Sequence, residues 1–200
     1  MTPHWIRGCL RQSNVGDAPE PLVLKIGGSL LSWSDWPRRL DRLIAGFGDI
    51  PLVIVVGGGA VVDGLRQIDA AAPQQDRLMH ELALDGMHLL AQIVSRSTGL
   101  QLSTNPERTR AACILDVPTW LLTQDRSTSL PASWDVTSDS IAARVAGAYD
   151  AALMLAKSTP PPAAWSGTTF ASLVETGWVD RFFPQAAAGV RTISWTAPAG

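Results

Sequence analysis

The sequence predicts an α/β fold: a three-layer α/β/α sandwich with a mainly parallel central sheet. Three observations predict it. The apolar runs at 22–26, 51–56 and 151–156 are nearly continuous rather than alternating, as expected of strands covered on both faces. These runs alternate with stretches of helical character. The first two run straight into glycine clusters, Gly27-Gly28 and Gly57-Gly58-Gly59.

Taken in order, residues 1–20 are polar and punctuated by Gly and Pro, and are expected as a flexible N-terminal tail ahead of a single domain over 21–200. Residues 21–26 form the first strand. After the glycine loop, Trp36-Pro37 opens a helix to about Phe47, with Pro in its first turn and Gly46 and Gly48 closing it. Strand 51–56 follows, then a helix from Ala60 to about Ala71. Pro73 separates that helix from a long one, about Gln74 to Thr98, stopped by Gly99. Residues 103–110 read as a loop or short helix, 112–115 as a short strand, and 118–123 as a further strand. A loop at 127–133 leads to a helix that starts at Thr137–Ser138 and stops at Gly147. Strand 151–156 ends at Lys157-Ser158, and Pro160-Pro161-Pro162 must be extended. Short helical stretches at 168–176 and 179–187 precede a last strand at 190–195.

Composition excludes several classes. A net charge of -2 and a pI near 5.9 give no electrostatic case for nucleic acid or an anionic membrane. No apolar run approaches the length of a membrane span, and residues 1–20 hold no signal-peptide core. Cys9 and Cys113 have neither metal nor disulfide spacing, which suits a reducing cytoplasm.

Of the 16 basic residues only Lys25 and Lys157 are lysines; the rest are Arg. Both lie at the ends of apolar strands, where α/β folds place ligands. A lysine in a buried strand calls for an anion, and its compact ammonium suits a single phosphoryl oxygen. The glycine junctions bring bare backbone N–H groups and positive helix ends to the same edge. Neither junction is a Walker A or dinucleotide fingerprint: no Gly-Lys-Ser/Thr closes the second, and position 62 is Val.

Asp139 falls in the first turn of its helix, among Thr137, Ser138 and Ser140. It is either a capping carboxylate or the group that holds two ammoniums between two phosphates. Arg66 and Asp63 either meet substrate or pair with each other. Trp134 and Trp178 either stack on a flat substrate or pack the core. His80, Glu81, Asp85 and His88 share a long helix without an H-E-x-x-H pattern, and no metal ligands are assigned.

Lys25-Ile26-Gly27-Gly28-Ser29, Gly57-Gly58-Gly59-Ala60 and Thr137-Ser138-Asp139-Ser140 together resemble the amino acid kinase superfamily, over residues 21 to about 158. Within it, the segment 133–140, Asp76-Arg77 and the run from Trp178 to Pro184 look most like the methanofuran-biosynthesis branch, which phosphorylates [5-(aminomethyl)furan-3-yl]methyl phosphate to the diphosphate. The resemblance implies ATP and Mg²⁺, a small-molecule phosphate acceptor and a homo-oligomer. It implies that Lys25 neutralises the transferring group, that Asp139 orients the lysines and that Lys157 stands near the leaving phosphate. Gly27, Gly28, Ser29 and Ser158 would hold ATP; Gly57, Gly58, Gly59, Arg66, Trp134, Asp135 and Ser138 would hold the acceptor. Many relatives carry an Asp-Gly-Val-Tyr type nucleotide loop after the last of these strands; here Ser158 to Pro162 stands instead. The alternatives are a kinase for another phosphate or carboxylate, or a non-catalytic nucleotide- or oxoanion-binding member of the same fold.

Overall fold

A computed structural model describes residues 5–12, 21–106, 111–124, 130–162 and 170–199. Seven strands form one sheet: β1 (Trp5–Arg11), β2 (Leu22–Ile26), β3 (Leu52–Val56), β4 (Leu102–Ser103), β5 (Cys113–Leu115), β6 (Ala152–Ala156) and β7 (Ile193–Pro198). Their order across the sheet is β1-β7-β6-β2-β3-β5-β4. Every neighbouring pair is parallel except β1 with β7. The helices are α1 (Trp36–Ala45), α2 (Gly59–Ala71), α3 (Asp76–Thr98), α4 (Val117–Leu122), α5 (Ser138–Ala148), α6 (Ala171–Glu175) and α7 (Phe183–Ala186), with a 3-10 helix at Gly28–Ser32. Among the described residues no helix is long and apolar enough to cross a membrane.

The sheet is buried on both faces, and strand alternation decides what each face receives. Leu22, Leu24 and Ile26 of β2 join Leu40 and Leu43 of α1 and Ala91 and Val94 of α3 in one core cluster. Val23 belongs to the other cluster, with Ile141 and Val145 of α5 and Phe183 of α7. Lys25 follows Val23 by two residues, so it points to the α5 face. This period-2 placement aims a charged side chain at one particular helix.

Parallel pairing also aligns the strand ends. Ile26 is in register with Val56 on one side and with Ala156 on the other. The residues that follow, Gly27, Gly57 and Lys157, therefore leave the sheet at a common edge.

Three expectations are corrected. Residues 5–11 form an edge strand rather than a loose tail: β1 pairs with β7, Leu10 is buried, and the Arg11 guanidinium donates to the Ala187 carbonyl at 2.6 Å. Tail residues 1–4 and 13–20 lie outside the described residues, as do 107–110, 125–129, 163–169 and 200. Residues 117–122 form a helix rather than a strand. Pro118 has no N–H for a sheet ladder but is accepted in a first helical turn. The last strand is β7 at Ile193–Pro198, later than expected because 188–192 still belong to the turn after α7.

Candidate functional site

Two glycine loops cross at the common edge. A Cβ on Gly28 would lie 2.1 Å from the Gly59 nitrogen and 2.3 Å from its Cα. Gly59 itself has φ +46°, the left-handed region. The backbones touch here, so no side chain fits between them. The Gly27 amide donates to the Ala156 carbonyl at 2.8 Å and the Gly57 amide to Ile26 at 2.9 Å. These two N–H groups, expected as phosphate donors, are already committed to the sheet edge. Donors are left to the first turns of the 3-10 helix and of α2, at Gly28, Ser29 and Gly59, where N–H groups have no partner within their own helix. Gly28→Ala would drive the two loops apart. The expected result is a loss of about 10²-fold in turnover, the cost of a displacement near 1 Å, measured by steady-state rate with circular dichroism to check folding.

The two lysines meet on one carboxylate. Lys25 Nζ lies 2.8 Å from Asp139 Oδ1, and Lys157 Nζ lies 2.7 Å from Asp139 Oδ2. Lys25 is 5% and Asp139 4% exposed. The Lys157 ammonium also donates to the Trp178 carbonyl and sits 4.7 Å from the centre of the Trp178 ring. Burial opposes the charge on Asp139, but Lys25 and Lys157 outweigh it and hold the carboxyl below its ordinary value. Burial is also the main influence on Lys157, with Lys25 acting in the same sense; Asp139 and Asp180 oppose it, and the ammonium loses its proton below its usual range. One buried carboxylate is shared by both ammoniums, and Asp180 adds a further attraction on Lys157 alone.

A cavity of about 610 Å³ opens beside this cluster, a size suited to a small ligand. Gly28, Gly58, Gly59 and Asp139 line one part of it. Arg66, Trp134, Asp135 and Ser138 line the rest, together with His80, Asp180 and Arg181. Ser29 and Ser158 lie outside that lining, with their hydroxyls 3.4 Å apart. Arg66 pairs with Asp63 at 3.1 Å and also stacks 5.0 Å from the Trp134 ring centre. The Trp134 indole donates to Asp69 at 2.7 Å. Trp178 is buried and stacks on the Lys157 ammonium, so it is core and site at once. Burial holds the His80 imidazole below its usual value against the pull of Glu81. His88 turns away to Asp116, 2.9 Å from Nδ1. Among the described residues no group of three or more His, Cys, Asp or Glu side chains could hold a metal ion.

The sequence reading assigned Asp180 no role, although it accepts hydrogen bonds from the first turn of α5. Its Oδ2 takes the Thr137 amide at 3.0 Å, the Thr137 hydroxyl at 2.7 Å and the Ser140 amide at 3.0 Å. No local pattern signals a cap supplied from 40 residues away.

Residues 20–113 match the Amino acid kinase family. A search of the curated proteins finds no match. Among solved structures, the chain is similar to uridylate kinase from Archaeoglobus fulgidus, with 15% identity, a TM-score of 0.61, and coverage of 90% of this chain and 91% of that one. It is similar to UMP kinase from Ureaplasma parvum at 14% identity and a TM-score of 0.51, over 72% of this chain and 70% of that one. It is also similar to aspartate kinase from Synechocystis at 14% identity and a TM-score of 0.54, over 89% of this chain and 40% of that one. The fold is that of the amino acid kinases.

Proposed function

We propose that the chain is an ATP-dependent kinase that moves a phosphoryl group onto a phosphate monoester to give a diphosphate. The acceptor placed first is [5-(aminomethyl)furan-3-yl]methyl phosphate, on the resemblance of segments 133–140 and 178–184 to the methanofuran branch. One observation carries the reading: Lys25 and Lys157 rest on one buried carboxylate beside two crossed glycine loops.

Phosphoryl transfer needs positioning and charge neutralisation more than covalent chemistry by the protein. A monoester oxygen forms the new bond to the γ-phosphorus as the bond to the β,γ-bridging oxygen breaks, and ADP leaves. Lys25 faces the transferring group and Lys157 the leaving phosphate. Asp139 keeps the two ammoniums apart and aimed. Gly28, Ser29 and Gly59 supply backbone N–H groups to phosphate oxygens, and Ser158 borders the ATP side. Gly58, Arg66, Trp134, Asp135 and Ser138 line the acceptor cavity; Gly27 and Gly57 permit the tight crossing. The acceptor is already an anionic nucleophile, because its second pKa is near 6, so no general base is required. Mg²⁺ would be held mainly by ATP oxygens and water, and so would need no dedicated carboxylate cage from the chain.

The test is ADP release with monophosphate and carboxylate acceptors. Turnover with the aminomethylfuran phosphate well above the others supports the reading. Preference for another acceptor replaces the substrate. ATP binding with no ADP formed on any acceptor overturns the kinase in favour of a binding protein, the reading that Ser158 to Pro162 in place of the usual nucleotide loop favours. The reaction suits the cytoplasm, where ATP is available.

A homo-oligomer completes the proposal. Leu78, Leu82, Leu89 and Ile93 lie exposed along α3. Their spacing is symmetric about the Asp85–Gly86 midpoint, so two antiparallel copies of α3 would set Leu78 beside Ile93 and Leu82 beside Leu89. Sedimentation equilibrium should give a mass above the 21.3 kDa of one chain, and Leu82→Glu should reduce it to that value.

A further inference from the structure

We propose that Asp180 is a positioning residue for the phosphoryl transfer proposed above: it fixes the first turn of α5 and so the carboxylate on which both lysines rest. The inference depends on that reading for its function and on geometry for its placement.

Five donors converge on this one side chain. Besides the three on Oδ2, the Ser140 hydroxyl and the Phe182 amide, the latter at 3.1 Å, donate to Oδ1. An N-cap residue normally supplies one local acceptor. Thr137 occupies that position, but its hydroxyl is 3.4 Å from the Asp139 amide and gives its own proton to Asp180. The remote carboxylate does the capping, and its charge suits the positive end of the helix.

Asp139 lies between Thr137 and Ser140, and Asp180 pins both. The turn that carries Asp139 therefore cannot rotate without breaking these bonds. Trp178, two residues before Asp180, accepts from the Lys157 ammonium through its carbonyl and stacks its ring on it. The segment 178–182 thus grips Lys157 and the α5 turn together. The charged groups that act on Lys157 are Asp139 from α5, Lys25 from β2 and Asp180 from this segment; burial and Lys25 disfavour its charge, while Asp139 and Asp180 favour it.

A simple cap and a positioning group differ in what Asp180→Asn changes. The amide keeps the shape, loses the charge and turns a donor toward Thr137 and Ser140. The chain has only two lysines, so lysine ¹³Cε labelling gives two resonances, assigned with Lys25→Arg and Lys157→Arg. Asp180→Asn is expected to lower kcat on the order of tenfold, a fraction of the loss for a 1 Å displacement, with KM for ATP nearly unchanged. The Lys157 resonance should titrate at lower pH than in the wild type. A lower Tm with wild-type kcat and an unmoved Lys157 titration would overturn the proposal. If the wild type shows no phosphoryl transfer, the kinase reading fails on its own, and an unmoved Lys157 titration still overturns the placement of Asp180. If Asp180→Asn does not fold, Ser140→Ala keeps the carboxylate and removes one donor. It is expected to lower kcat about threefold, a smaller displacement of the same kind, without shifting the Lys157 titration; a wild-type kcat there overturns the proposal.

Discussion

Lys25→Met is expected to lower the kcat of ATP-dependent transfer by about 10²–10³-fold, the usual cost of removing one preorganised group that meets developing charge. Met fills the same channel between β2 and α5 without the ammonium, so the packing of Val23 and Ile26 is kept. Asp139 retains Lys157 at 2.7 Å and so stays ionised, and the protein should fold. The loss should fall on kcat with little change in acceptor KM, because Lys25 faces the transferring group rather than the acceptor cavity. Steady-state kinetics with a far-UV circular dichroism control measures both. Wild-type turnover in this variant would refute the assigned role.

Asp139→Asn should act mainly on stability. It strands two ammoniums, both more than four-fifths buried at the side chain, on a neutral amide. Removing one partner from a buried ion pair costs about 3–5 kcal/mol, and here one carboxylate serves two cations. The pH dependence follows from the direction of each shift. In the wild type the Asp139 carboxyl is held below its ordinary 3.8; its stabilisation is present above that pH and is lost as pH falls through the folded-state value. The variant lacks this acid loss. In the variant Lys157 has lost the anion that raised it, so its folded-state pKa lies further below the unfolded one. The unfolded chain then binds more protons, and the variant should regain stability as pH rises toward 10.5. Pyrophosphate should raise the Tm of Asp139→Asn more than that of the wild type, since a polyanion replaces the missing charge. Thermal melts across pH, with and without pyrophosphate, test all three statements. A variant as stable as the wild type at neutral pH would contradict the account.

That Lys25 and Lys157 reach one edge was legible in the sequence for physical reasons; that Asp139 holds both came from the family resemblance, since its own position reads equally as a cap. A lysine inside an apolar strand is costly unless it is paired, and parallel strands deliver their ends to one edge. Thr137-Ser138-Asp139 reads as a helix start because hydroxyl and carboxylate side chains satisfy first-turn amides. The edge strand β1 was not legible. Its short run, broken by Gly8 and two arginines, becomes a strand only because β7 offers it a partner. The commitment of the Gly27 and Gly57 amides follows from strand register, which a glycine count does not reveal. Asp180 was hidden because its partners lie 40 and 43 residues away, and nothing beside it in the sequence marks a cap.

The central claim is that both ammoniums serve one polyanion. With ¹³Cε-labelled lysine, titration with a non-hydrolysable ATP analogue and Mg²⁺ observes each ammonium separately. The account predicts that both resonances shift with a common dissociation constant, and that both shifts vanish in Gly28→Ala. Binding of the analogue that leaves the Lys25 and Lys157 resonances where they were, or moves only one of them, would contradict it.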